Sequence, residues 1–263
     1  MGKFDGILLC SDIDGTILLN SNFDKIFELN KSAIRYFTDN GGKFTFVTGR
    51  YMSFLTGKHL RPLINIPAGI FNGAAVYDYE REKMLYIKRL GHSCIELANA
   101  VGCFKDSLVR FTPILNTYGD TADPMPLDVP KEYADKKPIK CVYVFDSAES
   151  AVKFKSFLLT DRRFDDCYIS RSWDISVELT NGTATKGHAA KYIKRFIGAH
   201  TLITIGDYEN DIPMLELADL GAAVGSAPDI VKSAADIVVK PCKDGAIADL
   251  ISIIEKQSYK KQI

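Results

Sequence analysis

Near its beginning, the chain carries an apolar run that leads directly into two acidic residues: Ile7-Leu8-Leu9-Cys10-Ser11-Asp12-Ile13-Asp14-Gly15-Thr16. The apolar run predicts a buried strand, which places both acids at the carboxyl edge of a sheet, where open α/β folds bind ligands. Two carboxylates this close repel each other, so they need a cation, a shared proton or a positive partner. Gly15 lets the backbone approach a ligand closely, and the turn after it can offer N–H groups to an anion.

Alternating strand and helix patterns on both sides of this motif indicate a parallel sheet built from right-handed βαβ units. In the first third, the pattern predicts a helix over 27–40, a strand over 43–47 ending at Thr48-Gly49-Arg50, a helix over 52–60, and a strand over 68–71 ending at Asn72-Gly73. From Lys186 onward it predicts a helix over 187–197, a strand over 201–205 ending at Gly206-Asp207, and further helices and strands to the end.

The middle of the chain has a different character and predicts a separate α+β unit. Helical patterns over 93–101 and 149–159 mix with short strand patterns over 108–112, 140–145, 167–170 and 175–179, around a Pro-rich polar stretch over 112–138. We therefore expect a catalytic core formed by residues 1–81 and 186–263, interrupted by a domain-sized α+β insert, residues 82–185.

Composition favours an ordinary enzyme of the cytoplasm. Lysine plus arginine and aspartate plus glutamate balance at 33 each among 263 residues, so no nucleic-acid or membrane partner is expected. No apolar run is long enough to span a bilayer. The 6 cysteines include no C-x-x-C pair, which predicts reduced thiols and neither a zinc site nor a disulfide framework, and the 4 histidines form no spaced cluster.

Five ordered strings carry a resemblance to a known family: Ser-Asp-Ile-Asp-Gly-Thr at 11–16, Val-Thr-Gly-Arg at 47–50, Asn-Gly-Ala at 72–74, Thr-Lys-Gly at 185–187, and Gly-Asp-Tyr-Glu-Asn-Asp-Ile-Pro-Met-Leu at 206–215. Their order and type resemble the haloacid dehalogenase (HAD) superfamily, and within it the Cof-like members of subclass IIB. The resemblance implies an α/β fold, with a Rossmann-like parallel-sheet core and an inserted α+β cap domain. It covers both core segments, whereas the insert matches only in size and position.

The resemblance also implies a phosphoryl-transfer mechanism that the chemistry of these residue types supports. Asp12 is the implied nucleophile, which forms an aspartyl-phosphate, and Asp14 the implied general acid and base. Thr48, followed by Gly49, can bind a phosphate oxygen through its side chain and backbone. Lys186 supplies positive charge to the phosphoryl oxygens and to the nucleophile.

Magnesium is the implied cofactor, because it prefers oxygen ligands and needs few protein carboxylates. By resemblance, Asp12, the main-chain oxygen of Asp14, and Asp207 bind the ion directly, while Asp211 holds a coordinated water or lies in the surrounding shell. The candidate phosphate- and substrate-binding residues are Gly15, Gly49, Arg50, Asn72 and Asn210, with turn stabilisation or helix capping as the alternative for the last three. Arg171 and Trp173, on the insert, are weaker candidates for a specificity patch.

The expected function is a Mg²⁺-dependent phosphatase that hydrolyses small phosphorylated metabolites, above all sugar phosphates, under a mobile cap. The expected assembly is a monomer or a small homo-oligomer. A phosphohexomutase resembling phosphomannomutase is the first alternative, since such enzymes share this subclass and the same acids. A receiver-like or catalytically inactive phosphate-binding protein is the second, although such a protein has no need for a general acid at Asp14.

Overall fold

The structure is a computed structural model that describes residues 2–19, 25–56, 60–117 and 123–260. The strands are β1 (Ile7–Ser11), β2 (Lys43–Phe46), β3 (Ala68–Ile70), β4 (Ala75–Asp78), β5 (Lys83–Ile87), β6 (Leu108–Ile114), β7 (Lys140–Phe145), β8 (Cys167–Ser170), β9 (Ser176–Asn181), β10 (Thr201–Gly206), β11 (Leu220–Val224) and β12 (Ile237–Val239). The helices are α1 (Lys25–Asp39), α2 (Met52–Thr56), α3 (Cys94–Asn99), α4 (Lys131–Ala134), α5 (Ala148–Thr160), α6 (Lys186–Ile197), α7 (Ile212–Glu216), α8 (Asp229–Ser233) and α9 (Ala246–Lys260).

The core sheet is parallel throughout and has the order β12-β11-β10-β1-β2. Its central strands β1 and β10 are buried on both faces, which agrees with the apolar run of β1 and with the mainly apolar sequence of β10. Because β1 lies between β10 and β2, the carboxyl ends of these three strands are neighbours at one edge of the sheet. The predicted α/β fold with a parallel-sheet core is confirmed.

A small antiparallel sheet, β3-β4-β5, adjoins the core sheet through a parallel bridge between Val47 and Gly69. The sequence pattern predicts β3 but not the β4–β5 hairpin. This hairpin spans the expected boundary between residues 81 and 82, so β5 is paired with β4 and not with the strands of the insert. The predicted helix over 52–60 is described as α2, ending at Thr56, and residues 57–59 lie outside the described residues.

The insert contains a four-stranded antiparallel sheet with the order β6-β7-β9-β8. Side chains of a strand alternate between the two faces of its sheet, so one face can form a core while the other serves the site. On one face, Cys141, Tyr143 and Leu179 pack with apolar residues of α3 and α5 in the insert's own hydrophobic core. Lys140 and Glu178, on the other face, point toward the core domain.

Helix α6 begins where the chain returns from the insert to the core. Thr185 caps it, because the Thr185 hydroxyl accepts a hydrogen bond of 3.2 Å from the His188 amide. Gly198, with a left-handed φ of 69°, ends it. Lys186 is therefore the first residue of a helix whose start is fixed by sequence. Within the described ranges, no helix is both long and apolar enough to cross a bilayer.

Replacement of Gly73 or Gly198 by alanine would cost stability for different reasons: backbone strain at both positions, and a steric clash at Gly73 alone. Both have positive φ, 89° and 69°, but a Cβ on Gly73 would strike the Thr185 carbonyl, whereas a Cβ on Gly198 would meet no atom within 4 Å. We expect Gly198→Ala to lower the free energy of unfolding by about 1–2 kcal/mol, from backbone strain alone. Gly73→Ala should cost more than about 3 kcal/mol, because the backbone must also shift.

Chemical denaturation of the two variants beside the wild-type chain measures the difference. Equal losses would contradict the close packing of residue 73 against the start of α6.

Candidate active site

The candidate residues meet at the carboxyl edge of the core sheet, as expected. Asp12 follows β1, Thr48 follows β2 and Asp207 follows β10, while Lys186 starts α6. Asp12, Thr48 and Lys186 are almost fully buried, with exposed fractions of 5%, 0% and 0%. The sheet order thus brings together residues that lie up to 195 positions apart in the sequence.

Lys186 bridges two carboxylates. Its Nζ lies 2.8 Å from Asp12 Oδ1 and 2.6 Å from Asp211 Oδ1. Burial alone would lower the pKa of Lys186, but the attraction of Asp12 and Asp211 outweighs it and raises the pKa above its ordinary value. The lysine is therefore a permanent cation, and its charge is aimed at the carboxylate expected to be the nucleophile.

Asp211 is held at both of its oxygens. Oδ1 binds Lys186, and Oδ2 accepts hydrogen bonds of 2.9 and 3.1 Å from the amides of Asp207 and Tyr208. Gly206 permits this arrangement, since a Cβ there would strike the Asp211 carboxylate. These contacts favour a positioning role for Asp211, which orients Lys186 and the loop that carries Asp207.

Asp12, Asp207 and Asp211 form a cluster whose ligand oxygens all lie within 4.8 Å of one another. Burial, followed by repulsion from Asp211, raises the pKa of Asp207 to about 7. Burial also raises the pKa of Asp12 well above its ordinary range; Lys186 opposes this shift, and the neighbouring acids add to it. One lysine faces three carboxylates and offsets only part of their repulsion, and this set of oxygen donors fits a hard divalent cation.

Thr16 and Gly15 position Asp207. The Thr16 hydroxyl donates a 2.8 Å hydrogen bond to Asp207 Oδ1, and a Cβ on Gly15, whose φ is 80°, would strike Asp207 Oδ2. Gly15 was expected to let a ligand approach the backbone; in the structure, the group that approaches it is the Asp207 carboxylate. Sequence reasoning assigned no role to Thr16, although it stands directly after the acidic pair.

Asp14 is separate from the cluster and pairs with Arg50. The guanidinium donates two hydrogen bonds to the Asp14 carboxylate, Nε to Oδ2 at 2.8 Å and Nη2 to Oδ1 at 2.7 Å. Arg50 also lies over the ring of Phe54, at 4.4 Å from the centroid. Both charged side chains are about 40% exposed and face the cavity, so a bound anion can compete with Asp14 for the arginine.

Thr48 and Gly49 form a turn with their neighbours. The Thr48 side-chain oxygen accepts a 3.2 Å hydrogen bond from the Arg50 amide, and its carbonyl accepts one from the Asn72 amide. A Cβ on Gly49 would lie 2.8 Å from Asn72 Oδ1, so the glycine makes room for that side chain. Asn72 itself has a left-handed φ of 57°, a conformation that asparagine tolerates better than most residues.

A buried chain of hydrogen bonds runs from the core to the insert through Asn72. Asn210 Nδ2 donates to Asn72 Oδ1 at 3.1 Å, and Asn72 Nδ2 donates to Glu178 Oε2 at 2.5 Å. Glu178 pairs with Lys140 at 2.8 Å, and Lys140 Nζ also reaches the Gly49 carbonyl at 3.4 Å. Burial acts against ionisation of Glu178, but Lys140 and the hydrogen-bond donors hold its pKa below the ordinary value.

A cavity of about 380 Å³ lies between the acids of the core and the sheet of the insert. Asp12, Asp14 and Asn210 lie on the core side of the cavity. The core also lines the cavity with Gly49, Arg50, Tyr51 and Tyr208. The insert contributes charged and polar residues together with one large aromatic residue: Arg110, Thr112, Lys140, Ser172, Trp173 and Glu178.

Of the two predicted specificity candidates, Trp173 lines the cavity, while Arg171 instead binds Glu209 of the core. Lys140 and Glu178 were missed by sequence reasoning. The available signal was the alternation in Lys140-Cys141-Val142-Tyr143 and Val177-Glu178-Leu179, where a charged residue shares a predicted strand with the apolar residues of the opposite face.

A parallel sheet with an acid cluster at its carboxyl edge, a buried lysine and a covering insert defines a class of phosphoryl-transfer hydrolases. Comparison with known proteins agrees, since the family model for haloacid dehalogenase-like hydrolases matches residues 9–251. The chain therefore belongs to this family of hydrolases.

Two relatives align over nearly the whole chain. The 5-amino-6-(5-phospho-D-ribitylamino)uracil phosphatase YcsE of Bacillus subtilis is 24% identical over 249 residues, which is 93% of this chain and 94% of the relative. The pyridoxal phosphate phosphatase YbhA of Escherichia coli is 24% identical over 273 aligned positions, covering 93% and 97%. Among solved structures, the HAD subclass IIB sugar phosphatase BT4131 shares the fold, with a TM-score of 0.76 at 21% identity over 94% of this chain and 98% of that one.

We predict that Lys186 is essential to the charge balance of the site. Lys186→Met should lower the free energy of unfolding at neutral pH by about 3–5 kcal/mol, because it leaves Asp12 and Asp211 buried without a positive partner. In acid the loss should shrink, since protonated carboxyls no longer need the ammonium.

Lys194→Met on the same helix is the matched control. Its ion pair with Asp219 is exposed, with side-chain exposures of 24% and 51%, and should be worth less than about 1 kcal/mol. Chemical denaturation at neutral and acidic pH measures both variants. Similar losses in the two would show that the buried contacts of Lys186 do not stabilise the fold.

Proposed function

We propose that this protein is a Mg²⁺-dependent phosphatase of small phosphorylated metabolites, with sugar phosphates as its substrate class, and that it works through an aspartyl-phosphate on Asp12. The observation that carries the proposal is the placement of Asp12. Its carboxylate lies at the edge of the cavity, in contact with Lys186 and beside two further acids. A carboxylate so placed can attack a phosphoryl group that enters the cavity.

Phosphoryl transfer on this geometry divides into two steps. Asp12 forms a bond to phosphorus as the ester P–O bond breaks, and Asp14 donates a proton to the leaving oxygen. Asp14 then removes a proton from the water that cleaves the aspartyl-phosphate, which releases inorganic phosphate and restores Asp12. Lys186 and the Thr48 hydroxyl are the groups we assign to the phosphoryl oxygens.

Arg50 links substrate binding to the general acid. In the structure, its Nε and Nη2 groups both donate to the Asp14 carboxylate. A phosphate dianion that draws the guanidinium toward itself would release the Asp14 carboxyl for proton transfer. This exchange gives Arg50 a role in substrate binding and explains why the arginine stands next to Thr48 and Gly49.

We assign three groups to Mg²⁺: the carboxylates of Asp12 and Asp207, and the main-chain oxygen of Asp14. Asp211 positions them. When bound, the ion neutralises the repulsion between the carboxylate nucleophile and an anionic substrate. The tether of Asp207 to the Thr16 hydroxyl, at 2.8 Å, and its place within 4.8 Å of the ligand oxygens of Asp12 and Asp211 support this assignment, because they hold its carboxylate among the other oxygen donors.

The insert supports the proposal for the substrate class. A cavity of about 380 Å³ suits a small molecule and excludes a folded macromolecule. Lys140, Glu178 and Ser172 offer donors and acceptors opposite the phosphate site, which suits a substrate that carries several hydroxyl groups. The insert therefore acts as the cap that encloses the substrate and limits access of water.

Phosphate release from a panel of substrates tests the function. The panel contains hexose and pentose phosphates, pyridoxal phosphate, flavin mononucleotide and an aryl phosphate, each with and without Mg²⁺ and without any bisphosphate. We expect Mg²⁺-dependent release, with sugar phosphates ahead of the aryl phosphate. Isomerisation of a hexose phosphate only after a hexose bisphosphate is added would instead show a phosphohexomutase.

Asp12→Asn tests the nucleophile in the same assay. Release should fall by more than about 1,000-fold, because an amide cannot attack phosphorus as a carboxylate does. The variant should remain folded, since Asn keeps the shape of the side chain and Lys186 retains Asp211. Unchanged turnover by folded Asp12→Asn would rule out the assigned role.

Thermal or chemical unfolding tests the cation site independently of turnover. Mg²⁺ at 100 times its dissociation constant should stabilise the wild-type chain by about 2.7 kcal/mol. Asp207→Asn should lose this increment, yet its stability without Mg²⁺ should not fall, because the change removes a buried carboxylate that repels Asp211.

Asp219→Asn, on the surface, is the control and should keep the full increment. Equal stabilisation of Asp207→Asn and the wild-type chain by Mg²⁺ would contradict the assignment of Asp207.

A further inference from the structure

A second group of possible ligands lies on the insert, away from the cavity. Cys167 Sγ lies 3.6 Å from His92 Nδ1 and 3.5 Å from Asp166 Oδ1, and His92 Nδ1 lies 3.7 Å from the same carboxylate oxygen. The three residues come from two segments about 75 positions apart, one just before α3 and one at the start of β8. None of them lines the cavity that contains Asp12.

The backbone fixes the tautomer of a neutral His92 ring. Nε2 lies 2.7 Å from the Arg163 carbonyl oxygen, and a carbonyl can only accept a hydrogen bond. Nε2 therefore carries the proton, and the lone pair of Nδ1 points toward Cys167 and Asp166. Histidines that bind metals commonly donate their second nitrogen to a backbone carbonyl in this way. Packing of the ring on Phe164, with centroids 4.7 Å apart, holds it further.

The separations match the edges of a zinc tetrahedron. Bond lengths of about 2.3 Å to sulfur and 2.0–2.1 Å to nitrogen or oxygen imply edges of about 3.5 Å from sulfur and about 3.4 Å between the lighter ligands. The observed edges are 3.6, 3.5 and 3.7 Å. A metal could enter with shifts of a few tenths of an ångström and without rearrangement of the backbone.

The surroundings leave a position open for a fourth ligand. The Asp166 side chain is 58% exposed, so water can reach the group. Gly91, next to His92, makes room for the carboxylate, because a Cβ there would lie 2.6 Å from Asp166 Oδ2. A thiolate, an imidazole and a carboxylate with an exchangeable fourth position form a ligand set that zinc accepts.

The same geometry argues against a nucleophilic triad. In such a triad, the two imidazole nitrogens contact the thiol and the acid separately. Here both Cys167 and Asp166 face Nδ1, and Nε2 is engaged by the backbone.

We propose that His92, Asp166 and Cys167 form a Zn²⁺ site that joins β8 to the segment before α3 and stabilises the insert. Binding replaces the thiol proton of Cys167, which passes to solvent, while His92 contributes the lone pair of Nδ1 and Asp166 contributes a carboxylate oxygen. The site lies with the helix-covered face of the insert sheet, since Cys167 packs against the insert's hydrophobic core. Its role is independent of phosphoryl transfer, because none of its three ligands lines the cavity that contains Asp12.

Titration of the metal-free full-length chain with Co²⁺ tests the site. Cobalt bound to a thiolate gives a charge-transfer band in the near ultraviolet, which the sulfur-free acids around Asp12 cannot produce. We expect one equivalent of Co²⁺ to produce the band and Zn²⁺ to displace it. Cys167→Ser should lose the band, and His92→Gln should weaken binding at least tenfold.

Two control variants keep the result specific. Cys103→Ser removes an exposed cysteine outside the cluster and should retain the band, as should Asp207→Asn, which alters only the acid cluster of the core. Circular dichroism verifies the fold of each variant. If Cys167→Ser does not fold, Asp166→Asn, which changes an exposed side chain, takes its place in the titration. Absence of the band from the wild-type chain, its survival in folded Cys167→Ser, or its loss in Cys103→Ser would each overturn the proposal.

Discussion

The contact on which this structure depends is that of buried Lys186 with Asp12 and Asp211. Three carboxylates gather at the end of the core sheet, and burial raises the pKa values of Asp12 and Asp207. A lysine that is itself fully buried offsets part of this repulsion, because it touches two of the acids at once. The fold can therefore hold these carboxylates together at the end of the sheet, and this arrangement requires a lysine at the first position of α6.

The contact also joins the two halves of the core. Asp12 comes from the first strand, and Lys186 comes from the helix that follows the insert. The insert thus enters the chain between the acid and its cation, and the return of the chain to the core places the Lys186 side chain in the site. Glu209, which follows Asp207, binds Lys155 and Arg171 of the insert, so the loop that carries the acids also contacts the covering sheet.

Sequence reasoning located the acids and the lysine because parallel strands end at a common edge, a rule that requires no knowledge of distant contacts. It could not find the Arg50–Asp14 pair. Asp14 was expected to act as general acid and base and Arg50 to bind the substrate, and their mutual contact depends on how two turns face each other. Lys140 and Glu178 required the order of the insert's strands, which the sequence pattern does not contain. The β4–β5 hairpin was missed because the boundary between the core and the insert was predicted to lie within it, between residues 81 and 82.

The cluster of His92, Asp166 and Cys167 shows the same limit. The cysteines and histidines do not follow the sequence spacing of a metal motif, because the ligands lie on segments that only the folded insert brings together. Residues adjacent in a short motif are visible from the chain, while residues adjacent only in space are not. The acid site belongs largely to the first kind and the insert to the second.

The central claim is that Asp12, held by Lys186, accepts the phosphoryl group. Rapid mixing of the enzyme with Mg²⁺ and a phosphate ester that it hydrolyses, followed by acid quenching and peptide mapping by mass spectrometry, tests it most directly. The account predicts a phosphoryl group on the peptide that contains Asp12, formed before inorganic phosphate is released and absent from Asp12→Asn. Phosphate release with no phosphorylated peptide at any time, or with the phosphoryl group on another residue, would contradict it.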